Sequence, residues 1–484
     1  MSLYSRSITS AAWNMLVHLS RVVVLLIRSI ILARLLPVEV FGIYAFASSV
    51  VTLTSAFPVF GMGGAFLHRA PESADEEQLA AVHFTLKAIL TVIWVIILLV
   101  GSLIFTSGES KVALVLLTIV YGGIHLAQTP RLILTRRVVH RRLALMLFTD
   151  AVLSSLLAVA LAWQGVTLWT LLATDVVTLF VTIFSLYLWR PVWKPRLAWS
   201  KPVVQYLLSF GSRALPANVL LQALDRVDDL WTGLYLGDTA LGFYSRAYSF
   251  ATYQRFILGI PINLVAGGTY AELKGDRRRL SKAFFRTNAF LIRAGFFVGG
   301  LLALTAPEFI RLAIGEKWLP MLDAFRLMLI YTLLDPIKIT VAAVLMASGS
   351  PGKVALARTI QLLVMLAGLV TLGPWLGISG VALAVDSMLI VGMVILFWQA
   401  RTYVDFSLKR LFGVPGLSLL IGIAVAYSLV AVPGLAGSDL RSAAIKAVAF
   451  AIPYAAVILI LERDQLPMLM DILRQLRSQN HSLV

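Results

Sequence analysis

Apolar runs of about twenty residues recur along the chain from Ala11 to Leu461, and only short polar stretches separate them. Each run is long enough to cross a hydrocarbon core of about 30 Å as an α-helix, which satisfies its own backbone hydrogen bonds inside a bilayer. The sequence therefore predicts an all-α polytopic membrane protein with about 14 transmembrane helices.

The composition excludes several other classes of protein. The chain is 59% hydrophobic and 13% charged, whereas soluble domains are about half apolar and a quarter charged. Its net charge is +17, but the basic residues are divided among alternate loops, so we predict no nucleic-acid partner. The chain has no cysteine, and its histidines lack metal-ligand spacing, so we predict no metal site and no cofactor.

Lysine and arginine are concentrated in alternate loops. The basic loops span residues 131–142, 190–201, 274–286 and 401–410, whereas residues 163–168, 237–242 and 373–380 contain neither Lys nor Arg. Since loops rich in Lys and Arg remain in the cytoplasm, both termini are predicted to be cytoplasmic. The external loops are then too short to hold a soluble domain.

The chain resembles itself at an offset of about 200 residues. The matched positions are Leu36, Gly42, Tyr44, Ala47 and Ser49 with Leu236, Gly242, Tyr244, Ala247 and Ser249. This pattern predicts two parallel six-helix repeats, which transporters use to bind substrate between the halves. We expect an N-terminal lobe over 1–200, a C-terminal lobe over 201–402, a helix pair over 403–462 and an amphipathic cytoplasmic tail over 463–484.

Ionisable residues inside the predicted spans are the best functional candidates, because each costs roughly 2.5–3.5 kcal/mol to insert and normally faces a cavity or a partner. Helical periodicity places them on two polar faces, one in the predicted span 1 (residues 11–33) and one in span 7 (209–235), with further groups in span 8 (241–265) and span 9 (283–306). They are Asn14, His18, Arg21 and Arg28 in span 1, Asn218, Gln222, Asp225 and Asp229 in span 7, and Tyr248, Arg255 and Arg293. Together they predict a net-cationic chamber between the lobes.

Two interpretations of the arginines remain open. Guanidinium groups bind phosphate through paired hydrogen bonds, so Arg21, Arg28, Arg255 and Arg293 suit a diphosphate, with His18, Asn14 and Tyr248 beside it. Alternatively, Arg21 and Arg28 form salt bridges with Asp225, Asp228 or Asp229.

The carboxylates are equally open to two interpretations. Asp225, Asp229 and Asp150 either couple transport to an ion or a proton, or form structural pairs. Asp335 and Lys338, one turn apart around Pro336, are predicted to form a local salt bridge.

Several segments resemble the polysaccharide transporter family, the Wzx-like oligosaccharide flippases of the multidrug/oligosaccharidyl-lipid/polysaccharide (MOP) exporter superfamily. They are ILARLLPVEVFGIYAFASS, GMGGAFLHR, YLGDTALGFYSRAYSF, AELKGDRRRL and GPWLGISGVALA. The resemblance implies two six-helix lobes in a V and a central cavity that bears arginines, and it extends over most of the chain.

The resemblance also implies a function. Family members move a polyprenyl-diphosphate-linked oligosaccharide repeat unit from the cytoplasmic to the outer leaflet of the bacterial cytoplasmic membrane, for lipopolysaccharide, capsule or exopolysaccharide synthesis. They work beside a polysaccharide polymerase and a chain-length regulator. The related lipid II flippases use arginines of span 1, which fits Arg21 and Arg28. Coupling to Na⁺, H⁺ or the membrane potential is left open.

Two rival functions follow from the same residues. A multidrug or organic-cation antiporter of the same superfamily would use the span 7 aspartates, but the span 1 arginines argue against it. A membrane glycosyltransferase or polymerase needs larger external loops than these. We therefore predict a transporter and not an enzyme.

Overall fold

The computed structural model describes residues 3–68, 76–137, 139–432 and 437–463. Every regular element in this part of the chain is a helix, so the predicted all-α membrane fold is confirmed. The predicted tail, apart from Arg463, lies outside the described residues.

In the described part of the chain, nine helices fall before residue 184. They are α1 (Leu3–Leu35), α2 (Val38–Thr54), α3 (Ala56–Val59), α4 (Met62–His68), α5 (Glu76–Phe105), α6 (Gly108–Leu126), α7 (Gln128–Arg136), α8 (His140–Trp163) and α9 (Leu168–Ile183). A π-helical turn, Phe184–Leu188, ends α9.

Eight further helices follow within the described residues. They are α10 (Lys201–Leu236), α11 (Asp238–Gln254), α12 (Ile260–Leu273), α13 (Arg277–Phe309), α14 (Leu322–Ala347), α15 (Pro351–Ala400), α16 (Leu408–Val430) and α17 (Asp439–Leu461). Short π-helical or 3₁₀ segments join some of them: Arg255–Gly259, Ile310–Ile314 and Glu316–Met321.

Ten helical segments of the described chain are long and apolar enough to cross a membrane. One of them, α15, contains two spans, because Gly377 has non-helical dihedral angles (φ 57°, ψ −137°) in its middle. The helix α1, the helix α10 and the α11–α12 segment fall outside these ten. Adding them, and counting α15 twice, brings ten to the fourteen that the sequence predicts. The exact count stays a prediction.

The chain forms two compact units, Met1–Ser245 and Arg246–Val484. The division lies within α11 and differs from the predicted lobe boundary at residue 200. Its physical reason is that α10 packs against α2, α4 and α5 of the first unit. The four domain ranges derived from the repeat remain predictions.

Two glycines of the internal repeat meet in the first unit. A Cβ added to Gly42 would lie 1.7 Å from the carbonyl oxygen of Asp238, and one added to Gly242 would lie 2.2 Å from the carbonyl oxygen of Val38. Gly42 and Gly242 are equivalent positions of the repeat, and so are Val38 and Asp238. The two contacts are therefore reciprocal, as expected when two similar surfaces pack together. Only glycine permits so close an approach of two backbones. The contact supports the predicted duplication.

In the second unit, two ion pairs join α13 to α17 and the residue that follows it. Arg293 forms an ion pair with Glu462, and Glu308 forms one with Lys446 at 2.6 Å. Arg293 and Glu308 are fifteen positions apart, which corresponds to roughly 22 Å of helix. Between the two pairs, Phe450 packs against small residues, since a Cβ added to Gly300 or Gly422 would collide with its ring. Hence α16 and α17 are integral to this unit.

Candidate functional site

Arg21 and Arg28 lie half-buried on α1, the helix that packs against α8. Seven residues separate Arg21 from Arg28, so both lie on the same face, about 10 Å apart along the axis. Arg28 Nη1 donates a hydrogen bond to Ser154 Oγ at 3.2 Å. The buried Nε of Arg21 has no acceptor within the described part of the chain. A hydroxyl and not a carboxylate therefore holds Arg28.

Two carboxylates lie close to these arginines. A tight turn at Gly165 (φ 79°) makes α8 and α9 antiparallel neighbours, which brings Asp150 opposite Thr178. Asp150 accepts a hydrogen bond from Thr178 Oγ1 at 2.8 Å, and Asp175 accepts one from Tyr44 Oη at 2.8 Å. Both carboxylates interact electrostatically with Arg28.

The two arginines and the two carboxylates lie close together but form no salt bridge with each other in the described structure. Among the described residues, no salt bridge joins Arg21 or Arg28 to a carboxylate. Neutral hydroxyl groups bind the carboxylates, and Arg28 donates to a hydroxyl. Guanidinium N–H groups consequently remain able to bind an anion. We name Arg21, Arg28, Asp150 and Asp175 the α1 cluster.

The aspartates of α10 have other partners. Asp228 accepts a hydrogen bond from Tyr244 Oη at 2.5 Å. Asp229 accepts one from Ser49 Oγ at 2.9 Å and lies 3.4 Å from Arg226 Nη1. These bonds fasten α10 to α2 and α11, which favours a structural role. The alternative that Arg21 and Arg28 pair with Asp225, Asp228 or Asp229 is not seen in the described residues; Asp225 is exposed on α10.

Arg255 begins the π-helical turn between α11 and α12. Its Nε lies 3.1 Å from Asp335 Oδ2, an ion contact without hydrogen-bond geometry. Asp335 is buried and also contacts Lys338 Nζ at 2.7 Å, so the predicted Asp335–Lys338 salt bridge is confirmed. The carboxylate thus lies between two cations. Arg255 is a weaker candidate for phosphate binding than Arg28, because a carboxylate already faces it.

Arg293 has the geometry of a structural residue. Its Nε donates to Glu462 Oε2 at 2.6 Å, Nη2 donates to Glu462 Oε1, and Nη1 donates to the Ala289 carbonyl at 2.8 Å. Tyr454 Oη donates to the Arg293 carbonyl at 2.8 Å. The bidentate pair is buried on both sides. This arrangement argues against the sequence-based assignment of Arg293 to substrate.

Three other candidates contribute less to the site. The ring of Tyr248 lies 5.9 Å from that of Tyr331 in a tilted arrangement, which is typical of aromatic packing. His18 is half-buried on α1, one turn before Arg21. The side chain of Asn14 lies outside the described residues. Their roles in binding stay predictions.

Sequence reasoning missed three residues. They are Asp175 of the α1 cluster, Tyr44, which donates a hydrogen bond to Asp175, and Asp386 on α15, which is only 4% exposed. Among the described residues no Lys or Arg forms a salt bridge with Asp386, and the backbone of Tyr331 lies close to its carboxylate. The available signal was a single carboxylate within an apolar run, which is costly at any position. Asp175 and Asp386 are 211 residues apart, close to the offset of the repeat. Each lies two residues after an alanine, Ala173 and Ala384.

The comparisons with known proteins agree on a family and a fold. A sequence model described as polysaccharide biosynthesis protein matches residues 31–323. The chain is 21% identical to the lipopolysaccharide biosynthesis protein WzxC of Escherichia coli, over 72% of this chain and 71% of that protein. It is 26% identical to the succinoglycan biosynthesis transport protein ExoT of Rhizobium meliloti, but over only 60% of this chain and 58% of ExoT.

Two solved structures share the fold. The lipid II flippase MurJ, in an inward closed conformation, superimposes with a TM-score of 0.78 at 15% identity, covering 94% of this chain and all of MurJ. An inward-facing multidrug resistance MATE family transporter of the MOP superfamily gives a TM-score of 0.62 at 16% identity, covering 80% and 97% of the two chains. At these identities the likeness concerns the fold alone.

Proposed function

Since the chain belongs to the polysaccharide biosynthesis protein family, we propose that it is a flippase for polyprenyl-diphosphate-linked oligosaccharide repeat units. It moves them from the cytoplasmic to the outer leaflet of the bacterial cytoplasmic membrane for surface polysaccharide synthesis. The proposed mechanism is alternating access, in which the diphosphate and glycan enter the protein while the polyprenyl chain stays in the bilayer. No covalent chemistry is required.

The family and the names of its relatives support the coarser part of this proposal. The chain is a multi-pass membrane protein with the fold of MOP transporters. Its relatives are named for polysaccharide biosynthesis and transport, which agrees with a transporter and not an enzyme. The lipid-linked substrate, the direction and the cytoplasmic termini are our inference. A polymerase and a chain-length regulator remain predicted partners.

The α1 cluster carries the finer part of the proposal. Binding a diphosphate requires several N–H donors and positive charge. Two arginines supply both when no carboxylate accepts the hydrogen bonds of their guanidinium groups. Arg28 is held by Ser154, and the Nε of Arg21 lacks an acceptor. Asp150 and Asp175 are satisfied by hydroxyl groups. The cluster is therefore suited to an anion.

The same cluster disfavours an organic-cation antiporter. Such a transporter needs carboxylates that are free of neighbouring positive charge, whereas Asp150 lies beside both Arg21 and Arg28. Asp386 is a better candidate for coupling to H⁺ or Na⁺, because a buried carboxylate without a positively charged partner favours a bound proton or cation. Asp150, Asp225 and Asp229 remain weaker coupling candidates, and the membrane potential remains an alternative energy source.

The test is transport by the purified protein in proteoliposomes. Each preparation is given a fluorescent polyprenyl-diphosphate trisaccharide or ethidium, under an imposed pH gradient, Na⁺ gradient or membrane potential. We expect the lipid-linked glycan to cross the bilayer under at least one gradient and ethidium to remain where it was added. Ethidium transport without glycan flipping would instead establish the antiporter. Protein-free liposomes and an Asp386→Asn variant serve as controls for leakage and coupling.

A further inference from the structure

An apolar groove runs between α8 and the end of α9 in the first unit. It has a volume of about 1000 Å³. Its walls include Leu145 and Leu153 from α8, and Phe180 and Phe184 from α9 and its π-helical turn. Phe180 is 71% exposed and Phe184 54% exposed. Because both helices belong to a membrane protein, this apolar surface is turned towards lipid.

Three arginines line one end of the groove: Arg141, Arg142 and Arg190. Arg142 Nη2 donates to the carbonyls of Trp189 and Arg190, each at 2.8 Å, and also to that of Ser185. The guanidinium carbons of Arg142 and Arg190 lie 5.8 Å and 5.7 Å from the centre of the Trp189 ring. The protein therefore fixes at least two cationic groups at the same end.

None of the described residues that line the groove is acidic, so the walls do not balance its positive charge. The buried Nε of Arg142 has no acceptor in the described part of the chain. Arg190 adopts a left-handed backbone conformation (φ 51°), which is uncommon for a residue with a side chain. This turn directs the chain so that Arg190 stacks on Trp189. The end of the groove is a preorganised site for an anion.

The length of the groove matches one leaflet of a bilayer. From Arg142 to Leu153, α8 rises by about 16 Å, and half of the hydrocarbon core is about 15 Å thick. The arginines belong to the loops that the positive-inside rule assigns to the cytoplasm. Basic pockets between membrane helices on that side bind the head groups of anionic lipids, and tryptophan is enriched at the interface.

We propose that this groove binds an anionic glycerophospholipid of the cytoplasmic leaflet. Its phosphate contacts Arg141, Arg142 and Arg190, and its acyl chains lie along Leu153, Phe180 and Phe184. A leaflet lipid fits better than the transported polyprenyl carrier, because the groove is one leaflet deep and opens to the bilayer.

The proposed lipid site adjoins the α1 cluster. The groove residue Thr149 precedes Asp150 in the sequence, and the Asp150–Thr178 hydrogen bond joins the two helices that form the groove. An acyl chain in the groove therefore packs against the helix pair that this bond joins. A role for the lipid in transport rests on the proposed function, whereas lipid binding does not.

The test is lipid retention by the full chain, measured without transport. Protein from mixed vesicles of phosphatidylethanolamine and phosphatidylglycerol is analysed by native mass spectrometry. A photoactivatable phosphatidylglycerol then locates the site by peptide mapping. The test variant is Arg141→Gln with Arg190→Gln, which preserves the Arg142 hydrogen bonds. The control is Arg278→Gln with Lys409→Gln, two exposed basic residues outside the groove.

We expect the wild type and the control to retain phosphatidylglycerol in preference, with crosslinks in residues 139–153 and 180–190. The test variant should lose about tenfold or more in this preference. A Leu153→Trp variant, which fills the groove without changing charge, should lose the crosslink as well. Equal retention by wild type and test variant, or displacement of the crosslink by polyprenyl phosphate alone, would overturn the proposal.

Discussion

Arg28 in the first unit and Arg293 in the second both lie within membrane-spanning helices, yet their surroundings differ. Arg293 donates two hydrogen bonds to the buried carboxylate of Glu462. Arg28 donates to a hydroxyl group, and the carboxylates beside it accept from other hydroxyl groups. The comparison teaches that an arginine within a membrane-spanning helix is a candidate ligand-binding residue only when no carboxylate accepts the hydrogen bonds of its guanidinium group. Predictions for the two units differ accordingly.

The largest effect is expected for Glu462. Substitution by Gln leaves Arg293 buried without a counter-charge, and breaking a buried pair costs about 3–5 kcal/mol. Thermal unfolding in detergent should show a large loss of stability. The double variant Arg293→Met with Glu462→Met should recover most of it and flip substrate at the normal rate per folded molecule. A stable Glu462→Gln protein that fails to transport would contradict the structural role of the pair.

An intermediate effect is expected for Asp335, which faces Arg255 and Lys338. Both cations are partly exposed, so water partly replaces the lost carboxylate in Asp335→Asn. We expect a loss of about 1.5–3 kcal/mol, the range for hydrogen bonds to charged groups. Asp323→Asn, at an exposed position in the first turn of the same helix, is the matched control. Equal stability of the two variants would show that Asp335 does not hold the π-helical turn.

A smaller effect is expected for Tyr44→Phe, which removes the hydroxyl donor of Asp175. The expected loss of stability is about 1 kcal/mol. The freed carboxylate would then be able to accept from Arg28, so transport should fall more than stability does. Tyr427→Phe, at an exposed position of α16, is the control. Undiminished transport would show that the hydroxyl groups do not keep Arg28 available.

How much the sequence could predict depends on the distance between partners along the chain. The three-residue spacing of Asp335 and Lys338 fixed that salt bridge, and helical periodicity placed Arg21 and Arg28 on one face. Glu462, in contrast, is 169 residues from Arg293. No local pattern reports a contact between different helices. For that reason the sequence located ionisable residues inside the predicted spans but did not distinguish arginines with a carboxylate partner from arginines without one.

The fold was more predictable than the site. Apolar runs and the bias of Lys and Arg report directly on membrane spans, because both follow from the cost of inserting charge. The boundary between compact units was not predictable, since it depends on the packing of α10 against α2, α4 and α5. The aspartates Asp175 and Asp386 escaped notice because neither lies in a polar stripe.

The smallest effect is expected at the surface pair of Arg277 and Asp405, which are 2.7 Å apart. Hydrogen bonds from Arg277 lower the pKa of Asp405 below its ordinary value. Because this pKa is lowered, the pair stabilises the folded protein at pH values above the ordinary carboxyl pKa of about 3.9. That stabilisation is lost as the pH falls further. Asp405→Asn should therefore lower stability slightly at neutral pH and low salt, and not at all in acid or high salt. A difference that persists in acid would contradict this.

The central claim is that Arg28 is available to bind the diphosphate of the substrate. Its most direct test is the rate of flipping of a polyprenyl-diphosphate trisaccharide in proteoliposomes, with Arg28→Gln, Arg28→Lys and the surface control Arg278→Gln at matched protein amounts and matched thermal stability. We predict about tenfold or greater loss for Arg28→Gln, partial activity for Arg28→Lys because an ammonium keeps the charge but not the paired donors, and normal activity for the control. Normal flipping by a folded Arg28→Gln protein would contradict the account.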